Sequence, residues 1–167
     1  AKPSRIAFRK HEVELNLPFL WRKNPNARLL VLGFHDNEKR QYSNTGPEAL
    51  TRWGKGIAQL VTEIEASGEQ ALLLMTTDLV HYVPLTEADE HDPKVLSYMQ
   101  AYDVEGMYHY IRDNKVSVCG EIPVSVGMVA LQELGAAPLQ WTGRDTSLHA
   151  GKDPSSVVGY PGGVLWR

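Results

Sequence analysis

Two short apolar runs stand out from a chain in which hydrophobic and polar residues are otherwise interspersed. They are residues 28–34, Arg-Leu-Leu-Val-Leu-Gly-Phe, and residues 71–75, Ala-Leu-Leu-Leu-Met. Neither alternates, so each reads as a strand buried on both faces of a sheet. The residues between them divide cleanly. A polar stretch over 35–46 reads as a loop, and Pro47 to Ala66 predicts a helix, with Pro in its first turn and apolar positions Leu50, Trp53, Ile57, Leu60, Val61 and Ile64. Ser67-Gly68 supplies its stop. Upstream, Val13, Leu17 and Leu20 lie at helical spacing interrupted by Pro18, which predicts a short, proline-limited helix before a turn at Asn24-Pro25-Asn26.

The second half of the chain carries three more helical patterns. Asp92-Pro93 has the form of an N-cap followed by a first helical residue, opening a helix to about Ala101. Asp103 is placed to cap the next, whose face holds Val104, Met107, Tyr108 and Ile111 until Asp113-Asn114. Pro123 begins a third, with Val126, Met128, Val129, Leu131 and Leu134, and Gly135 stands where a left-handed terminal residue is wanted. Residues 139–142 and 156–165 read as strands, the last broken at Pro161-Gly162-Gly163. The order β-α-β-α-α-α-β-β predicts one α/β domain over residues 1–167, with a layered mixed sheet flanked by helices.

Composition narrows the function classes. A chain of 167 residues, 43% hydrophobic, is long enough for one sizeable core. A formal charge of -3 with both signs interspersed provides no basic stripe for phosphates, which argues against nucleic acid as a partner. No apolar run reaches the roughly 20 residues of a membrane span, and the first residues have no apolar stretch behind their charges, so a cytoplasmic protein is expected. The one cysteine rules out an internal disulfide and suits a reducing compartment.

Candidate chemistry gathers where the second apolar run ends. Thr76-Thr77-Asp78-Leu79-Val80-His81-Tyr82 puts a carboxylate and an imidazole three residues apart at a strand end, where open α/β sheets place their sites. Cys119, in Val118-Cys119-Gly120-Glu121-Ile122-Pro123, lies just ahead of a helix start whose dipole would favour a thiolate. Each has an ordinary alternative: Asp78 as a helix N-cap, His81 as a satisfied core histidine, Cys119 as a small buried hydrophobe. His11, among Glu12 and Glu14, reads on its own as a surface histidine.

Taken in order, the blocks from His11 to Leu20, Thr77-Asp78-Leu79-Val80-His81-Tyr82, Cys119-Gly120-Glu121-Ile122-Pro123 and Ser156-Val157-Val158-Gly159-Tyr160 resemble the Memo family, also called protein B of the AmmeMemoRadiSam system. That family is similar in fold to class III extradiol dioxygenases, which are non-haem iron enzymes; fold kinship does not transfer a reaction. The resemblance implies a metal, copper or iron, held by Cys119 with two histidines from the amino-terminal half of family members. It also implies that Asp78, His81 and His11 line the same pocket as candidate catalytic residues. None of His35, His91, His109 and His149 falls in a block matching those two ligands. The family's Glu-His-Ser is Lys10-His11-Glu12 here, and its Ser-Ser-Asp is Thr76-Thr77-Asp78.

Three readings follow from these residues. The first is a Memo-like metal-dependent redox or dioxygenase-like oxidoreductase whose metal site is incomplete in this chain alone, so that an amino-terminal half or a partner subunit completes it. The second is a non-catalytic adaptor that takes a peptide or small molecule in the same cleft. The third is a thiol hydrolase with Cys119 as nucleophile and His81 as base. If the resemblance holds, Asp78, His81 and Cys119 surround one cavity on which His11 also converges, and an exposed apolar face lies beside it where the amino-terminal half would sit.

Overall fold

A computed structural model describes residues 11–34, 45–151 and 153–164 of the chain, with backbone alone at His11 and Glu12. The chain falls into two compact units, one ending at Gly33 and one beginning at Phe34.

In the first unit the proline-limited helix forms as two pieces, α1 (His11–Glu14) and α2 (Leu17–Lys23). Pro18 lies in the first turn of α2, where a missing N–H leaves no helical bond unmade. No residue of α2 is buried. The expected turn closes on the Asn24 side chain, which accepts from the Asn26 N–H at 3.1 Å.

The second unit is built on helices that the sequence marks well. Helix α3 (Pro47–Ala66) has the expected limits, and Gly68, at φ +84°, ends it. Its buried stripe is Leu50, Gly54, Ala58 and Val61, with Ile57 half-buried against the core and Trp53 exposed. Gly54 explains the closeness of the packing. A Cβ there would meet the Val126 carbonyl and the Val129 side chain of helix α6 (Glu121–Glu133). Asp103 caps helix α5 (Val104–Asp113), accepting from the Gly106 N–H at 2.8 Å. Helix α6 begins two residues before Pro123, which therefore occupies the first turn, where its N–H is not needed.

Helix α4 (Leu85–Gln100) departs from expectation. Asp92 is no cap. It sits inside the helix with no exposed surface, followed by Pro93 within the same helix. The carboxylate bonds a distant backbone amide and an arginine, and this tertiary demand overrides the local Asp-Pro signal.

Strands β1 (His81–Val83), β2 (Gln140–Thr146) and β3 (Val157–Val164) form an antiparallel sheet in the order β1-β3-β2. The layered α/β architecture is as expected, with helices flanking the sheet. Strand β3 runs through Pro161 unbroken, because β1 pairs only with Val157 and Val158 and leaves that stretch a single neighbour, β2. The core joins Leu50 of α3, Leu79, Val80, Val95 and Met99 of α4, Met107 and Ile111 of α5, Val126 of α6 and Val157 of β3.

The two apolar runs do not become paired strands among the described residues. Leu29, Leu30 and Leu32 are exposed, and in residues 71–75 burial alternates, with Leu72 77% exposed and Met75 lying over Gly127 of α6. An apolar run specifies burial, whereas a strand also requires a neighbour that offers its N–H and C=O groups in register. No helix of the described residues is long and apolar enough to cross a membrane.

Leu79→Ala or Ile111→Ala, both fully buried, should each lower stability by about 2–5 kcal/mol in urea titrations. Leu72→Ala should stay within about 0.5 kcal/mol. Equal losses would contradict this division between core and surface.

Candidate functional site

The site forms where the chain leaves the residue 71–76 segment and meets the loop before α6. Backbone bonds fix both sides. Leu79 N–H donates to the Gly159 carbonyl at 2.8 Å, and Gly159 N–H returns to the Val80 carbonyl at 3.0 Å. Val80 N–H donates to Asp92 Oδ1 at 3.1 Å. Across the gap, Gly120 N–H donates to Thr77 Oγ1 at 3.0 Å, and that hydroxyl donates to the Asp78 carbonyl at 2.7 Å. A Cβ at Gly120 would collide with Thr77, so this approach depends on glycine.

On this frame Asp78, His81 and Cys119 converge. One ligand-capable atom from each lies within 4.8 Å of the others. Asp78 N–H points at Cys119 Sγ, 3.2 Å away, and His81 Nε2 is 3.7 Å from Asp78 Oδ2. Two donors on one tetrahedral ion, at bond lengths of roughly 2.1 Å, would stand about 3.5 Å apart, so this spacing suits a shared ion. An oxygen, a nitrogen and a sulfur donor form the set that intermediate-to-soft transition metals accept.

His81 is oriented before any ligand arrives. Its Nδ1 is 3.2 Å from the Ser117 carbonyl, which accepts an Nδ1–H and leaves the Nε2 lone pair facing Cys119 and Asp78. Its own backbone N–H donates to Ser117 Oγ at 3.0 Å. The imidazole is held above its ordinary pKa, first by its hydrogen bond with the Cys119 side chain. The Ser117 carbonyl and the neighbouring Cys119 and Asp78 charges add to this, and partial burial opposes it.

Of the residues singled out in the sequence, these three are brought together. Cys119 is exposed, Asp78 is about half exposed on its side chain at 45%, and His81 retains 20%. The side chain of His11 lies outside the described residues, as does all of His35. His91 bonds Tyr110 through Nδ1 at 2.8 Å, and His149 pairs with Asp145 on an exposed turn. Sequence reasoning missed Thr77, Ser117, Gly120 and Asp92 as supports, because each acts on a residue 12 or more positions away. A Gly beside the only cysteine was the one local signal.

A family model described as Memo-like protein matches residues 3–164. Among curated relatives, a MEMO1 family protein of Methanosarcina acetivorans is 31% identical over 152 residues, covering 90% of this chain and 53% of its own length. One from Methanosarcina barkeri is 30% identical over 154 residues, with the same coverages of 90% and 53%. One from Aquifex aeolicus is 27% identical over 169 residues, covering 99% of this chain and 58% of the relative. The chain thus spans about half the length of the curated relatives it matches.

Without metal, His81 should contribute stability that is fully present below its unfolded pKa of about 6.5 and is lost as pH rises through its higher folded value. Denaturation midpoints of wild type and His81→Gln between pH 5.5 and 8.5 would check this. The gap between the two should be wider at pH 5.5 than at pH 8.5.

Proposed function

This chain belongs to the Memo-like family, and on that premise we propose that it is a metal-dependent redox protein, dioxygenase-like in class, whose metal is copper or iron. The mutual reach of the Asp78, His81 and Cys119 donor atoms carries this reading. Cys119 supplies a thiolate, His81 a tautomer already set by Ser117, and Asp78 an oxygen that either binds the ion or orients what binds beside it. A bound copper or iron ion would supply Lewis acidity and one-electron chemistry. The chain's own part is to hold the three donors on bonded backbone and to leave one side open to a ligand.

Donors beyond these three come, in this proposal, from an amino-terminal half or a partner subunit. The relatives' greater length and the exposed Leu72 and Leu74 on the approach to the site support that part. His11 belongs to the same reading as a residue of the pocket. A cytoplasmic location, where reducing conditions keep Cys119 a thiol, completes it. The exposed leucines also favour a second reading, an adaptor that captures a peptide in this cleft without turnover.

Anaerobic titration with Cu(I) and Fe(II), followed by metal analysis after desalting, tests the proposal. From the chain alone, weak binding that desalting largely reverses is expected, with affinity reduced roughly a further 10- to 100-fold in Cys119→Ser and His81→Ala, and stoichiometric metal retained after desalting would contradict an incomplete site. Cys119→Ser binding as tightly as wild type would sink it. Oxygen uptake by the loaded protein separates the two readings: uptake supports redox chemistry, and its absence beside retained peptide binding supports the adaptor.

A further inference from the structure

Residues 70–76 have the burial pattern of a strand and none of a strand's bonds. Ala71, Leu73 and Met75 are half-buried while Leu72 and Leu74 are exposed, as on an extended segment that rests one face on a packed layer. Met75 packs against the core and lies over Gly127, so the covered face rests on α6. Both edges are unused. From Gln70 to Thr76 no backbone N–H or C=O makes a hydrogen bond among the described residues, and the first bonds to a neighbouring strand come at Leu79 and Val80, against Gly159.

Strand edges that stay exposed are normally guarded by a lysine, a proline, a bulge or extreme shortness, because a bare edge recruits other chains. Gln70 to Thr77 contains no charged residue and no proline, and it is long enough for an ordinary strand of about five or six residues. Such a sequence suits a strand with a neighbour at its edge and a layer over each face. The length of the relatives says what supplies these. This chain accounts for 53% of the Methanosarcina barkeri and Methanosarcina acetivorans proteins, so each holds a further stretch of nearly the same size. A second copy of this chain fits less well. Two copies joined here would share one ladder and their exposed leucines, short of the roughly 1,200–2,000 Å² that a specific interface buries.

We propose that residues 70–76 are the docking edge for a polypeptide equivalent to the amino-terminal half of the relatives, which adds an uncharged, apolar strand to this backbone and lays an apolar surface over Leu72 and Leu74. The mode is strand addition, in which main-chain bonds give affinity and the alternate side chains set the register. Thr76 leads directly into Thr77 and Asp78, so the partner that completes the sheet also fixes the entry to the donor cluster. This rests on the part of the reading above that supplies an amino-terminal half, and on no metal.

The test joins the amino-terminal half of the Methanosarcina barkeri relative ahead of Ala1 through a glycine-serine linker, which gives it a high effective concentration. Hydrogen exchange at residues 70–76 is then compared with that of the chain alone. In the chain alone these amides should exchange almost unprotected while Leu79 and Val80 are protected, and in the joined protein they should slow at least about tenfold. The double variant Leu72→Lys/Leu74→Lys should melt like wild type as the chain alone, since both side chains are exposed, and should lose most of that slowing in the joined protein. Unchanged exchange in the joined protein overturns the proposal, as does slowing that survives undiminished in the double variant. So does protection of these amides in the chain alone; if that protection rises with concentration, the edge belongs to a second copy. Cu(I) retained after desalting is measured on the same samples. A protected edge without retained metal leaves the docking edge standing and sinks the metal reading, and retained metal with unchanged exchange does the reverse.

Discussion

A carboxylate without exposed surface, Asp92, holds together the part of the molecule on which the site depends. Its Oδ1 accepts from Val80 N–H, one residue before His81, and its Oδ2 accepts from Arg144 Nε of β2 at 2.8 Å. Arg144 reaches on to Asp89 at 2.7 Å, and its Nη2, also 2.8 Å from Asp92, adds charge without a well-directed hydrogen bond. Gly159 of β3 passes so close that a Cβ there would strike the carboxylate. One side chain of α4 thereby fixes the entry to β1, the path of β3 and the side chain of β2. Burial pushes the Asp92 carboxyl up, and the Val80 amide and Arg144 pull it back toward the charged form. Leaving either partner unmet would be costly, since a buried charge without compensation loses several kcal/mol. Pro93 weakens the same helix by denying the Asp89 carbonyl a backbone donor, and the ion pair offsets that defect at the point where it arises.

The donors of the site hang on this frame and add two side-chain links of their own, Cys119 Sγ to the Asp78 N–H and His81 Nδ1 to the Ser117 carbonyl. Thr77 with Gly120, and Ser117 with His81, join the two chain segments through backbone amides and hydroxyls. The carboxylate of Asp78, the imidazole Nε2 and the thiol are therefore directed into a gap that is already spanned. Glu121, buried beside the loop and bonded to Arg112 at 2.5 Å, anchors the start of α6 to α5 and so holds the far side of the same gap. Arg112 in turn lies over the Tyr108 ring at 3.4 Å, which keeps the guanidinium from turning out to solvent. A site built this way keeps its geometry when the donors change, which is the condition for a metal to bind without refolding the chain.

Local signals served the sequence reading wherever the structure is local. Pro47, Ser67-Gly68, the Asp103 cap and Gly135, whose N–H bonds the Gln132 carbonyl, all act within a turn or two of themselves. Asp92 misled because its Asp-Pro dipeptide has the form of a cap while its partners are 12 and 52 residues away. The runs at 28–34 and 71–75 misled for a related reason. Their composition records that they are apolar, and pairing is a property of two segments at once. The site residues were legible because Asp78 and His81 share one short segment, and Cys119 was unique in the chain. Their common cavity was an expectation from the family resemblance, since no spacing along the chain relates residue 81 to residue 119.

The ordinary alternatives for these residues now meet specific geometry. Asp78 caps no helix: the next regular element is strand β1, three residues on. Cys119 is exposed, so it fills no hole in the core. His81 does have the bonded, half-buried setting of a structural histidine, but only Nδ1 is used in that way, against the Ser117 carbonyl. Its other nitrogen faces a thiol and a carboxylate, two groups that a purely structural imidazole has no need to bring together. A serine at 119 or an asparagine at 78 would leave the backbone bonds of this corner intact. The three side chains thus form a set that could hold a metal ion.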